Sequence, residues 1–413
     1  MFPPHILIHG FTFKTVYLFI IVPGLIGGYN FLTKHKSTIP EKSTLQFMFL
    51  GLIYFSIVSL TVLFKDISVI GELLMGFIIM FASSFYVNVY YKLYGENYLI
   101  RLFKHLNIAC IINSTFVIAT FLSPHFKEFL YGFIGITGTA RRYLFGDVAV
   151  VRYQGIVPSG FSFLSTTHAL LLVIGVWGFY MDKRKYKFLE IILFLGGQII
   201  IFMAILLIGR TGLIIILLFL IALMFYWINS VVHNYRISKK SVKLISLFIV
   251  VAVAGLMTVN FSKYKKNIDF AFELVINLTE KRKLDRSTAE VIKHHFIFPK
   301  KAVNLLLGTG NFGRSPVLPY VNSDVGYALF INGAGILGML VAYSLYFPGL
   351  YYSHKYRRLN PYLSWFIFVY LFALIILNLK DYYFISHVGY SQIYFIALSL
   401  LGIEIKLDRI NNP

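Results

Sequence analysis

Three arginines stand in sequence surroundings that suit the binding of a negatively charged group. Arg210 lies between Gly209 and Gly212, Arg152 begins the run RYQGIVP, and Arg314 follows a glycine-rich run. A guanidinium group is a planar fork of donors that fits two phosphate oxygens, and neighbouring glycines let other groups approach closely. The sequence therefore predicts a polyanion site, with Arg210 as its most informative residue. The alternative is that Arg210 only extends from a helix end to lipid headgroups.

A carboxylate and several polar groups accompany these arginines. Asp324 begins the run DVGY just before an apolar segment, so it could accept a proton beside the bound anion. The other candidate binding residues occupy connections between apolar segments or the first turn of one: Arg141, Arg142, Tyr327, Lys380 and His387.

The run GTGNFG at residues 308–313 matches G-x-G-x-x-G. A dinucleotide site requires this run between a strand and a helix, whereas here it belongs to a long connection between apolar segments, so we reject that interpretation. Glycine-rich turns can also expose backbone N–H groups to phosphate oxygens. A modest role in holding an anion is therefore expected for this run.

The composition indicates a membrane protein. Of 413 residues 58% are hydrophobic and 13% charged, about half the charged fraction of a soluble surface. The formal net charge of +21 fits basic loops that face anionic lipid headgroups, and no nucleic-acid partner is expected. Cys110 is the only cysteine, which excludes an intramolecular disulfide.

About 20 apolar residues are needed for a helix to cross a bilayer, and eleven segments meet this criterion. The expected fold is an all-α polytopic membrane protein with a single transmembrane domain over residues 1–413. The eleven segments are residues 14–31, 45–64, 69–90, 101–122, 162–180, 188–208, 211–230, 242–260, 325–346, 362–379 and 384–403.

Lysines and arginines in the short connections predict the orientation, because such residues stay in the cytoplasm. They place the amino terminus outside and the carboxyl terminus inside. Two long loops, residues 123–161 and 261–324, then lie outside; the larger carries eleven Lys and Arg against six acidic residues. Within it, residues 274–278 and 289–298 have the spacing of short amphipathic helices. The basic loops either attract an anionic substrate or are simply solvated.

The motifs together resemble the O-antigen polymerase (Wzy) family, which is related to the O-antigen ligases. The matching runs occur in one order along most of the chain: RYQGIVP from Arg152, GRTGLI from Gly209, LGTG from Leu307 and DVGY from Asp324, followed by Gly333, Gly335 and Gly338. The family's paired Arg-x10-Gly spacing is not found at the candidate arginines. Ligases often have a histidine where this chain has Asp324, which favours a polymerase.

The resemblance implies a fold like that of GT-C glycosyltransferases and an activity without a nucleotide sugar. Such enzymes transfer a glycan from undecaprenyl pyrophosphate to the non-reducing end of a repeat unit on a second undecaprenyl pyrophosphate. The site would face the periplasm from the bacterial inner membrane. A flippase and a chain-length regulator are implied as partners. Because the sequence shows no paired carboxylates for a divalent ion, we expect no metal and no cofactor.

The charges and the resemblance together lead to a hypothesis for the roles of the candidate residues. Arg210 and Arg314 would bind the donor pyrophosphate, and Arg152 would either join them or bind the acceptor. Asp324 would be the general base for the acceptor hydroxyl, with His387 as the alternative base.

Three other functions are compatible with parts of the sequence. An O-antigen ligase would share the donor and the basic loop but would use lipid A core as acceptor. A lipid-linked oligosaccharide flippase or other transporter would be expected to show paired repeats and broken helices, and we find no convincing repeat. A structural scaffold would leave Arg210 without a role.

Overall fold

The computed structural model of the chain describes most of the apolar segments and part of the connections. The described residues are 5–8, 11–14, 17–34, 39–134, 152–157, 160–182, 184–232, 291–313, 317–318, 321, 323, 325–379, 381–383 and 389–411. Within these ranges the chain is helical apart from one antiparallel hairpin, β1 (His5–Ile8) and β2 (Phe11–Lys14). The predicted helical class is confirmed, and the hairpin is a feature that the sequence analysis did not predict.

Thirteen α-helices lie in the described ranges. They are α1 (Val22–Lys34), α2 (Ile39–Leu60), α3 (Ser68–Tyr94), α4 (Tyr98–Leu122), α5 (Pro124–Phe133), α6 (Phe161–Met181), α7 (Phe188–Ile208), α8 (Thr211–Val232), α9 (Ala302–Leu307), α10 (Gly326–Ser344), α11 (Phe347–Lys355), α12 (Pro361–Leu377) and α13 (Tyr390–Asn411). Short π-helical turns occupy Tyr17–Ile21 and Val291–His295, and a 3-10 turn, Gly95–Asn97, joins α3 to α4.

Side-chain caps explain where two of these helices begin. The hydroxyl of Ser123 accepts a hydrogen bond from the backbone N–H of Phe126 at 3.2 Å, and Pro124 follows as the first residue of α5. Asn360 does the same for α12, where its Oδ1 accepts from the N–H of Leu363 at 3.0 Å. Both are the cap-then-proline pattern expected at a helix start.

Several helices are long and apolar enough to cross a bilayer. Five continuous helical stretches satisfy this by length and composition, among the described residues: Lys42–Leu60, Ser68–Leu122, Phe161–Met181, Phe188–Ile208 and Gly326–Lys355. Shorter apolar helices are Leu18–Thr33, Thr211–Phe225 and Pro361–Leu377. We therefore treat the chain as an integral membrane protein. The predicted span at residues 242–260 lies outside the described residues.

Contacts divide the chain into two compact units. Unit 1 comprises Met1–Phe19 and Asn88–Arg282, and unit 2 comprises Ile20–Val87 and Lys283–Pro413. Each unit is therefore assembled from two separate parts of the sequence.

In unit 1, helices α4, α7 and α8 pack around α6. The apolar stretch of α6 is 89% buried within the protein, whereas that of α7 is 50% buried. Helix α6 is therefore the central helix of the unit. At the end of the unit where α6 begins, a core of aromatic and aliphatic side chains joins α4, α5, α6 and α7, and includes Val117, Leu130, Phe161, Leu164 and Leu207.

In unit 2, α2 contacts α10, α11 and α13. Helix α10 is interrupted at Gly335, whose φ of 68° is a left-handed value that favours glycine. A Cβ at Gly335 would lie 2.2 Å from the carbonyl oxygen of Leu306, so the interruption also lets α9 approach α10 closely. Buried tyrosines Tyr370, Tyr390 and Tyr394 pack against one another nearby in the same unit.

Candidate functional site

The turn that carries Arg210 is fixed to the beginning of α6. Gly209 has an extended backbone and ends α7, and the carbonyl of Arg210 accepts from the N–H of Leu213 at 3.0 Å as α8 begins. The hydroxyl of buried Ser165 donates to the carbonyl of Gly209 and accepts from the N–H of Gly212 at 3.0 Å. The side chain of Arg210 is partly exposed beside this anchored turn.

A second contact holds the same turn to the first residues of α6. The hydroxyls of Ser162 and Thr211 are 2.9 Å apart and share a hydrogen bond. Gly212 is required by space, because a Cβ there would lie 2.6 Å from the hydroxyl and from the carbonyl oxygen of Ser165. The contact of Ser162 with Thr211 and the close approach of Ser165 to Gly212 thus account for both residues in the run GRTG.

Arg152 lies at the same helix beginning. Its guanidinium carbon is 5.6 Å from the ring centroid of Phe161, the first residue of α6, which is a cation–π distance. Ser162, which contacts the Arg210 turn, is the next residue along α6. The structure therefore brings the side chain of Arg152 and the turn that carries Arg210, both predicted from sequence, to the first two residues of α6.

The segment after Arg152 is held by two helices. The N–H of Gln154 donates to the hydroxyl of Tyr131 in α5 at 3.1 Å, and the N–H of Ile156 donates to Oδ1 of Asn113 in α4 at 3.0 Å. Gly155 has a φ of 66°, and a Cβ there would lie 2.7 Å from Oδ1 of Asn113. The run RYQG is therefore a tight turn packed against α4.

A third cation belongs to this end of unit 1. Nζ of Lys127 in α5 is 5.6 Å from the ring centroid of Tyr153, the neighbour of Arg152. Burial lowers the pKa of Lys127, and the charge of Glu128 opposes that shift. Burial likewise raises the pKa of Tyr153, with a contribution from Tyr131. Lys127 was not among the residues predicted from the sequence, because a single lysine in a basic loop has no distinguishing motif.

Two buried polar side chains behind the turn were also missed. Asn113 and His168 are completely buried, and Nδ2 of Asn113 lies 3.1 Å from Nε2 of His168. Nδ1 of His168 is 2.8 Å from the carbonyl oxygen of Leu164. A histidine and an asparagine inside apolar helices are expensive to bury, and such residues usually have a specific role. That rule applied to residues 101–122 and 162–180 would have selected both.

The glycine-rich run of unit 2 does not expose its amides. Each of the six N–H groups at residues 308–313 donates within the protein, for example Gly310 to the carbonyl of Gly333 at 2.8 Å and Phe312 to Oδ2 of Asp66 at 2.9 Å. The expected role in holding an anion through these amides is therefore wrong. The run instead anchors the chain to α10 and to the start of α3.

Asp66 is the residue that makes this anchor and that the sequence analysis missed. It is 2% exposed, and its Oδ1 also accepts from the N–H and hydroxyl of Ser68 at 3.2 and 2.6 Å. An Asp two residues before a serine that opens an apolar helix is a recognisable capping signal. Asp66 thus combines a cap for α3 with a hydrogen bond to the run at residues 308–313.

Tyr327 lies in the first turn of α10, in unit 2. Its hydroxyl donates to the carbonyl of Ile375 in α12 at 2.7 Å, so this tyrosine joins two helices. The remaining predicted site residues lie outside the described residues: Arg141, Arg142, Arg314, Asp324, Lys380 and His387. The predicted amphipathic segment at 274–278 also lies outside them, while 289–298 includes the π-helical turn Val291–His295.

No protein-family model matches this chain, and no curated protein or solved structure matches it either. The function is therefore inferred from the chemistry of the site and from the motifs in the sequence. The site in unit 1 combines the guanidinium of Arg152 beside Phe161, the ammonium of Lys127 beside Tyr153, and the turn of Arg210 bonded to Ser162. Such an arrangement suits a ligand with at least two anionic groups.

Proposed function

We propose that this chain is an O-antigen polymerase of the Wzy type. It would transfer a growing glycan from undecaprenyl pyrophosphate to the non-reducing end of a second lipid-linked repeat unit. The setting is the bacterial inner membrane, with the site facing the periplasm and no metal or nucleotide required. The proposal combines the motif resemblance with the chemistry of the site in unit 1.

The observation that carries the proposal is that the Arg152 side chain contacts Phe161 while the turn of Arg210 is bonded to Ser162, the next residue of α6. Breaking the bond between the donor sugar and the pyrophosphate builds negative charge on the departing oxygen. Positive groups that are held in place beforehand stabilise that charge without reorganising during the reaction. Ser162 and Ser165 hold the backbone of the turn between α7 and α8 in place. Tyr131 and Asn113 do the same for the turn that follows Arg152.

Two further features add positive potential at this place. The start of α8 directly follows Arg210, and a helix N-terminus carries about half a positive charge. Lys127 adds an ammonium group beside Tyr153. We assign Arg210 and Arg152 to the donor pyrophosphate and Lys127 to the outer edge of the same anion site.

The first test is complementation of a strain that lacks this gene. We expect the variants Arg210→Ala and Arg152→Ala, at normal protein levels, to leave single repeat units on lipid A core instead of a ladder of long chains. Arg184→Ala is the matched control, because Arg184 is exposed and lies near the other end of α6, where it pairs with Asp182 and Glu190. A full-length ladder from both site variants would contradict the proposal.

The same strain separates the alternatives. Loss of a ligase would leave no glycan attached to lipid A core, and loss of a flippase would leave repeat units on the cytoplasmic face. Asp324→Ala tests the assignment of the general base independently of the arginines. Purified protein incubated with synthetic undecaprenyl-pyrophosphate repeat units, without added metal or nucleotide, should lengthen the lipid-linked glycan.

A further inference from the structure

Three residues of α6 organise the site in unit 1. Ser162, Ser165 and His168 recur every three residues, so each lies beside the next on the helix surface. Ser162 and Ser165 hold the turn of Arg210. His168 contacts Asn113 of α4, which holds the turn that follows Arg152. A single helix thus contacts the supports of both arginines.

The hydrogen bonds fix the orientation of the Asn113 amide. The N–H of Ile156 can only donate, so the atom of Asn113 that faces it, 3.0 Å away, is the oxygen. The NH₂ group of Asn113 then faces His168 and the carbonyl of Gln154, at 3.1 and 3.5 Å. Its nitrogen is a donor in both contacts, which requires an acceptor on His168.

The same reasoning fixes the state of His168. Nε2 must accept from Asn113, and Nδ1 must donate to the carbonyl of Leu164 at 2.8 Å. These two requirements are met only by the neutral imidazole with its proton on Nδ1. Each contact from Leu164 through His168 and Asn113 to Ile156 therefore joins one donor to one acceptor.

We propose that His168 is a positioning residue for Arg152 and acts through Asn113. Without the acceptor at Nε2, the buried NH₂ of Asn113 would lose its partner on α6, and the amide could rotate away from Ile156. The Gln154–Ile156 turn would then lose the bond that fixes it to α4, and Arg152 at its start would lose its defined position over Phe161. The inference rests on the proposed function only where Arg152 is said to bind pyrophosphate.

The kinetic test replaces His168 by a leucine and by a glutamine. His168→Leu removes the acceptor, and we expect kcat/KM for the pyrophosphate-linked donor to fall by about 10- to 100-fold, mostly through a higher KM. Gln can place an amide oxygen near the position of Nε2, so His168→Gln should restore most of the affinity. In an Arg152→Ala background, His168→Leu should cause no further loss of equilibrium binding of the donor.

Gln198→Leu is a matched control in the same unit. Nε2 of Gln198 donates to Oδ1 of Asn107 at 2.9 Å, so it supports a buried asparagine of α4 as His168 does, but two turns away from Asn113. We expect this variant to lower thermal stability while leaving the KM for the donor unchanged. An equal rise in KM in both variants would overturn the positioning role and indicate general loosening of the unit.

A labelling experiment tests the same inference without any enzymatic activity. The only cysteine, Cys110, is buried and can be replaced by serine, after which Arg152→Cys provides a single thiol at the site. His168→Leu should change the rate of maleimide labelling of this thiol at least several-fold, and His168→Gln should restore it. An unchanged rate would overturn the inference. A changed rate, together with no polymer from the protein that keeps Arg152, would support positioning and reject the polymerase assignment.

Discussion

The cations at the beginning of α6 differ in how firmly they keep their charge. A guanidinium stays protonated at any accessible pH, whereas the amine of a partly buried lysine does not. Burial lowers the pKa of Lys127, only partly offset by Glu128. Lys127 therefore loses its proton at a lower pH than an exposed lysine would, and the site loses positive charge as pH rises through that range.

This difference predicts the pH dependence of donor binding. In wild-type protein the KM for the donor should rise at alkaline pH, before exposed lysines deprotonate. In Lys127→Arg the charge persists, so the KM should stay low over the same range. Steady-state kinetics with the synthetic donor at a series of pH values measures this, and Lys185→Arg, at an exposed position, serves as control. Identical profiles for wild type and Lys127→Arg would show that Lys127 does not contact the anion.

At the residue scale the sequence predicted the arginines but not their supports. Arg152 and Arg210 stand beside glycines, which is a local signal for a fixed guanidinium. Asn113 and His168 are 55 positions apart, and nothing local in the sequence indicates that they meet. The rule that polar groups inside apolar helices need partners selects each of them, but the pairing itself is a property of how α4 and α6 pack.

At the scale of elements, close approach between helices fixes the α7–α8 turn. Gly212 in α8 lies against Ser165 of α6 with no room for a side chain. Gly196, in α7, has open space where a Cβ would be, among the described residues. Replacing glycine by alanine inside a helix ordinarily increases stability. Comparing the two glycines therefore distinguishes this ordinary increase from the loss of stability that crowding causes at Gly212.

Gly212→Ala should destabilise unit 1 by about 1–3 kcal/mol, because the added methyl group forces α8 away from α6. Gly196→Ala should be neutral or should stabilise the protein by up to about 1 kcal/mol. Thermal unfolding in detergent micelles measures both. The ladder should shorten for Gly212→Ala and stay normal for Gly196→Ala, and equal stability of the two variants would contradict the close contact.

Helix positions were largely predictable, and helix partners were not. The predicted span at 188–208 coincides with α7, because its apolar run begins after the charged run at residues 182–187 and ends at Gly209. The run at 308–313 shows the opposite case. Its glycines suggested exposed amides, but they permit close packing on α10 and hydrogen bonding to Asp66. Composition identifies a turn, whereas its hydrogen-bond partners depend on residues far away in the sequence.

At the scale of the whole molecule, charge differs between the two ends of α6. Near its end, Asp182 binds Lys104 at 2.5 Å and Arg184 at 3.2 Å, and Arg184 also binds Glu190. Burial tends to raise the pKa of Asp182, but the bonds from Lys104, Tyr186 and Arg184 outweigh it and lower that pKa. The short connection that follows α6 carries Lys183, Arg184, Lys185 and Lys187, and basic residues in short connections favour the cytoplasm.

Reporter fusions test an orientation in which α6 begins at the periplasmic side and ends at the cytoplasmic side. An alkaline phosphatase fusion after Arg210 should be active, since that enzyme folds only outside the cytoplasm, and a fluorescent protein fused after Lys185 should be bright. The reverse pattern would place the α7–α8 turn in the cytoplasm and would reject a periplasmic pyrophosphate site. Fusions after Lys104, which pairs with Asp182, should agree with those after Lys185.

The bond between Asp66 and Phe312 joins residues 246 positions apart. At about 5–20 residues per second, a ribosome needs roughly 10–50 seconds to make that interval. Throughout this time the early helices of unit 2 are inserted in the bilayer without the later helices that complete their packing, while the larger part of unit 1, Asn88–Arg282, is synthesised. The nascent protein must therefore keep these helices from aggregation or degradation until translation is almost finished, and a stop codon before residue 312 would leave the carboxylate of Asp66 without this hydrogen-bond donor.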